Sequence, residues 1–187
     1  MRKTVFIFLI IALNLNLSFS QTKSEIGSLL NGISETENSK EITKTEQAKK
    51  IIAFGENSLT TLAEFFTDST LTKVKSECQE RNLTKGEIAI IIADQIEFMP
   101  YLTLTGIQNC LLTFCENNPN LVEYYFDAIK RDGVENFQKK YIDWLKSEEH
   151  EKYMPLFVRK SEKEIEKQEK KKARKEKRKK RRAKRDK

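Results

Sequence analysis

Residues 84–99 read TKGEIAIIIADQIEFM, the most apolar stretch outside the first twenty residues of a chain that is one-third charged. The run of isoleucines suits a strand in composition. However, Ile88, Ile91, Ile92, Ile96 and Met99 keep helical three-and-four spacing for three turns, and Thr84 with Glu87 makes the reciprocal pair of a capping box. The spacing predicts a helix over 85–99. Since it is apolar on most sides, it must be surrounded by other elements.

Working outward, Pro100 breaks the chain and a fifth helix is expected from about Tyr101 to Glu116. Asn118 and Pro119 form a cap and first-turn pair for a sixth, in which Leu121, Val122, Tyr125, Ala128 and Ile129 face inward until Gly133. Val134, Phe137, Tyr141, Trp144 and Leu145 make the stripe of a seventh, and Pro155 marks where the compact part closes. On the N-terminal side, Ala48, Ile51 and Ile52 repeat helically up to Gly55. Ser58 then precedes Leu59, Leu62, Ala63 and Phe66, and Leu71, Val74 and Cys78 align on a third helix from Ser69 or Thr70. The expected fold class is all-α: a compact bundle of about six to seven short helices followed by a basic tail.

Residues 21–44 are rich in Ser, Thr, Glu, Asn and Lys, with few residues to bury beyond Ile26, Leu29, Leu30, Ile33 and Ile42, and read as a polar linker. Ahead of them, Arg2 and Lys3 precede an apolar run from Val5 to Leu17, then Ser18, Phe19 and Ser20. This is the pattern of a signal peptide cut near Ser20, with a secreted or periplasmic product. As a helix, the apolar run covers only about 20 Å of a hydrocarbon core near 30 Å, too little for an anchor. Downstream, no stretch is apolar enough to span a bilayer, so no transmembrane span is expected in the mature chain.

The net charge of +7 describes neither half of the molecule. Residues 21–158 carry 15 basic and 22 acidic groups, net −7, whereas residues 159–187 carry 18 basic and 6 acidic groups, net +12. The domain plan is therefore a signal peptide (1–20), a linker (21–44), an acidic helical domain (45–158) and a basic tail (159–187) with almost nothing apolar to pack, expected to be disordered or an isolated helix. Lacking aromatic residues to stack on bases, the tail suits a polyanionic surface: lipid head groups, polysaccharide or extracellular DNA.

Catalytic signals are sparse. His150, the only histidine, lies among Glu148, Glu149 and Glu151 and reads as a solvated surface residue; neither a two-histidine zinc site nor a nucleophilic triad with another histidine can be built within the chain. Glu87, Asp94 and Glu97 share one face of the central helix and are expected to be its exposed stripe; a carboxylate-dependent hydrolase would need them to converge. Glycine-rich phosphate loops and dinucleotide fingerprints are absent, and no cofactor or metal is implied.

Three cysteines stand at 78, 110 and 115. On a continuous fifth helix Cys110 and Cys115 lie about 8.7 Å apart, beyond the roughly 7 Å limit for bridging. Cys78 is therefore the expected half of a disulfide, with Cys115 as partner if helices three to five run up, down and up, and Cys110 as the alternative.

From Phe98 to Cys115 the chain carries no charge at all. Its polar residues suit a buried hairpin whose groups satisfy one another, or a helix lining a pocket or interface with Tyr101, Gln108 and Asn109 as contacts. The functional expectation is an exported, non-catalytic helical interaction protein with an unidentified protein partner. An inhibitor or immunity-type protein against an envelope enzyme is the narrower alternative.

Overall fold

The computed structural model describes residues 22–108 and 121–153. Among these the chain is mostly helical, with one two-stranded hairpin. The described residues up to Lys152 belong to one compact unit. Elements are α1 (Lys23–Ile33), α2 (Glu46–Ala53), α3 (Leu59–Ala63), β1 (Leu71–Lys75), β2 (Asn82–Thr84), α4 (Lys85–Ile96), α5 (Tyr101–Thr105), α6 (Phe126–Asp132), α7 (Val134–Leu145) and α8 (Glu148–Glu151). Short 3-10 turns at Ser39–Lys44, Gly55–Ser58 and Leu121–Tyr125 join them.

The central helix forms where the capping pattern starts it. Thr84 Oγ1 accepts from the Glu87 amide at 3.2 Å, and the Thr84 amide donates back to Glu87 at 2.8 Å. Ile88 through Ala93 are all buried, which requires neighbours on every side: α1, α2 and α3 supply them, with the 3-10 turns. Across α3, Phe66 meets Phe137 and Tyr141 of α7 at ring-centroid distances of 5.9 and 5.3 Å, so α7 closes the core from the other side.

Two expectations are corrected. Residues 23–33 are not a linker but a capped helix: Thr22 Oγ1 accepts from the Glu25 amide, and Ile26, Leu30 and Ile33 are fully buried against α2, α3 and α4. Burying such a side chain contributes about 1.5–3 kcal/mol, which outweighs the polar composition of its surroundings. The helical body thus includes Lys23–Ile33. Residues 71–75 are also not a helix. Thr72 and Val74 point inward while Leu71, Lys73 and Lys75 point outward, the alternation of a strand. Leu71, which the helical reading turned inward, is 72% exposed. β1 pairs antiparallel with β2 through an irregular register, and its other edge takes up residues 34–38, with the Lys73 and Lys75 amides donating to the Ser34 and Glu37 carbonyls. All-α therefore holds only coarsely.

The joint between α3 and α4 is tight. A Cβ at Gly86 would collide with the Phe66 carbonyl, so only glycine lets the first turn of α4 lie on the end of α3. This contact fixes the hairpin and α4 beside Phe66, and with it the floor of the site described next.

Candidate functional site

The residues singled out from the sequence are not brought together. Tyr101 is buried, stacked on Tyr125 with ring centroids 3.9 Å apart and planes 3° from parallel. Burial, then the neighbouring Asp94 carboxylate, pushes its hydroxyl well above the usual tyrosine range. Gln108 is exposed, and Asn109 lies outside the described residues. The expected helix 101–116 stops early: Gly106 adopts φ +71, its amide donates to the Leu102 carbonyl, and residues 107 and 108 are not helical. The rest of that expected helix, residues 109–116, lies outside the described residues.

The orientation argument that favoured Cys115 fails. Cys78 sits in the turn of the hairpin, its amide donating to Ser76 Oγ at 3.1 Å, and not on a helix. Cys110 and Cys115 lie outside the described residues. That turn is clamped from beneath: Ser76 Oγ donates to Glu123, whose carboxylate is 0% exposed, and the Gln79 side-chain amide donates to the Glu123 carbonyl at 2.7 Å.

The three carboxylates of α4 are not an exposed stripe either, and each is engaged separately. Glu87 caps the helix and forms a two-pronged pair with Arg81 at 2.6 and 2.8 Å. Asp94 is 1% exposed and accepts from the Met99 amide at 3.1 Å. Glu97 meets His150 Nε2 at 2.9 Å, with the two side chains only 14% and 20% exposed. His150 is thus half-buried, its ring packed edge-on against Trp144 with centroids 4.5 Å apart, because Ser147 caps α8 and turns the chain back onto α7. Around these acids lie two buried hydroxyls, that of Tyr101 beside the Asp94 carboxylate and that of Tyr141, which has no hydrogen-bond partner among the described residues. Burial, then Glu97 and Asp94, pushes Tyr141 far up as well. Among the described residues no group of three or more His, Cys, Asp or Glu side chains is arranged to hold a metal ion.

A second place was not foreseen. A half-open groove of about 570 Å³ runs between the hairpin, the first turns of α4, and the junction of α6 and α7. Phe66, Leu71, Ile90, Phe126, Ile129 and Val134 give it apolar walls. Most of the charges on its rim cancel in pairs. Arg81 lies with Glu87, which raises the guanidinium further above its usual range, and Lys85 lies 3.3 Å from Asp68. Burial pushes Asp68 up, but hydrogen bonds from Thr70 and Lys85 pull harder and leave its carboxyl below the ordinary value.

The Arg81–Glu87 pair also occupies the rim backbone of β2. Arg81 donates to the Asn82 carbonyl at 3.1 Å, and the Thr84 amide donates to Glu87. These two groups are therefore already engaged and are not offered to another strand. What the groove presents instead is apolar volume and two rim charges, Lys130 and Glu135, that have no ion-pair partner among the described residues. The groove is assembled from residues 66–71, 81–90 and 126–135, so no single stretch of sequence announces it. No family model, curated protein or solved structure matches this chain.

Proposed function

We propose that this is an exported, non-catalytic helical interaction protein whose acidic body binds a protein partner and whose basic tail retains it on a polyanionic surface. The observation that carries the reading is the charge division, −7 over residues 21–158 against +12 over residues 159–187. On the body, Glu37, Glu56, Glu80, Glu149 and Glu151 are exposed and have no ion-pair partner among the described residues, an acidic surface suited to a cationic partner. Near an anionic bilayer each basic side chain contributes about 1 kcal/mol, so even a fraction of the tail suffices for retention. Among the described residues no helix is long and apolar enough to cross a membrane.

Export follows from residues 1–20, with a disulfide from Cys78 to Cys115, or to Cys110, as the matching chemistry of an oxidising compartment. Peptide mapping without reductant identifies the pair. For the central reading, the test is retention on liposomes containing anionic phospholipid. The full chain should bind at low salt and elute as salt shortens the screening length, and deletion of residues 159–187 should abolish binding. Equal binding by the truncated chain contradicts the role of the tail.

A further inference from the structure

We infer that the groove beside the hairpin binds a single-chain zwitterionic amphiphile of the lysophospholipid type, its hydrocarbon tail over Phe66, Ile90, Phe126 and Ile129 and its head group between Lys130 and Glu135. This goes beyond the proposed function and does not rest on the tail.

Three observations lead there. The volume, about 570 Å³, falls in the range of small-ligand sites, and the walls are apolar with a few polar groups at the mouth. The β2 backbone groups on the rim, the Asn82 carbonyl and the Thr84 amide, are already held by Arg81 and Glu87, which disfavours an added polypeptide strand. The third is charge. Asp68 and Glu87 are neutralised by Lys85 and Arg81, whereas Lys130 and Glu135 line the same groove, are exposed, and pair neither with each other nor with any described residue.

A purely anionic head meets one complementary charge and one repulsive one, and so does a purely cationic head. A head carrying phosphate and quaternary ammonium together complements both. Leu71, standing 72% exposed at the lip, extends the apolar wall toward the mouth and covers the first part of the hydrocarbon chain.

The test uses the full chain and three probes with the same tail, below their micelle concentrations: dodecylphosphocholine, dodecyl phosphate and dodecyltrimethylammonium. Calorimetric titration should show one saturable site, with the zwitterion preferred by about fivefold or more over either singly charged probe, the scale of one lost charge contact. Lys130→Glu leaves two acids at the mouth and should invert the preference toward dodecyltrimethylammonium; Glu135→Lys should invert it toward dodecyl phosphate. Both residues are exposed, so these variants fold. Leu71→Asn should weaken all three probes alike.

Absence of saturable binding, or an order of preference that neither charge reversal alters, overturns the proposal. Deletion of residues 159–187 should leave dodecylphosphocholine affinity unchanged while liposome retention is lost, so the two readings fail separately.

Discussion

The two ends of α4 carry the same kind of side chain and use it in opposite ways. At the N-terminal end Glu87 stands at the rim of an open groove, capping the helix and neutralising Arg81. At the C-terminal end Asp94 and Glu97 lie among Tyr101, Tyr141 and His150, the last packed on Trp144. The difference follows from the helix itself. A carboxylate is favoured by the backbone dipole at the start of a helix and opposed by it at the end. Glu87 is therefore stable at a solvated edge, whereas Asp94 and Glu97 need compensation, which the Met99 amide and the His150 ring provide. One end is left available for a ligand, and the other is consumed in holding α5, α7 and α8 together.

The comparison breaks most severely at Gly86. Replacement by alanine drives a Cβ into the Phe66 carbonyl, and chemical denaturation should show a loss toward the upper end of the about 1–3 kcal/mol that overpacking costs, with the groove floor displaced. Stability close to that of the unaltered chain would mean that the α3–α4 joint is not tight.

Alkaline titration probes the other end. Tyr101 and Tyr141 have folded-state values raised above the ordinary 10.0, so above that pH the unfolded chain releases protons that the folded chain keeps. Their contribution to stability is complete below about pH 10 and falls as pH rises past it. Phenolate absorbance should show these two tyrosines ionising only together with unfolding. Ionisation near pH 10 without unfolding would show them to be open to solvent.

Glu87→Ala removes the Arg81 pair and the acceptor of the Thr84 amide, the reciprocal half of the capping box, while the residue-87 amide still donates to Thr84 Oγ1, and should cost about 1–2 kcal/mol in denaturant titration. His150→Ala frees α8 from Glu97 and Trp144 at about 1 kcal/mol, visible as faster amide exchange confined to residues 146–152. Tyr141→Phe deletes a hydroxyl that has no hydrogen-bond partner among the described residues and should change stability by less than about 0.5 kcal/mol, while lowering the alkaline sensitivity.

Much of this architecture was legible in the residues. The Thr84–Glu87 box, the inward stripe of Phe137, Tyr141 and Trp144, and the stop at Gly133, which adopts φ +90, all stand where spacing and capping place them. What escaped depended on neighbours distant in sequence. Ile26, Leu30 and Ile33 keep helical spacing, but their polar setting reads as a linker until α2 and α4 are laid against them. Leu71, Val74 and Cys78 satisfy a helical template with three points, and only the buried Thr72, donating to the Leu83 carbonyl at 2.8 Å, reveals the period of two. His150 looked solvated because its acidic neighbours in sequence are, while its contacts come from Trp144 and Glu97. The groove could not be read at all, since no single segment forms it. Glu87 and Asp94 stand on the expected helix and Glu97 just past its end, but the partners that separate them lie in the hairpin turn before β2, in the turn into α5 and on α8.

The most direct test of the contrast between the two ends is a map of amide chemical-shift changes in the full chain on titration with dodecylphosphocholine. Changes confined to Leu71, Arg81, Asn82, Ile90, Ile129 and Lys130, with Asp94, Tyr101, Tyr141 and His150 unmoved, are the predicted result. Changes centred on Tyr101 and His150, or no saturable change anywhere, would contradict it.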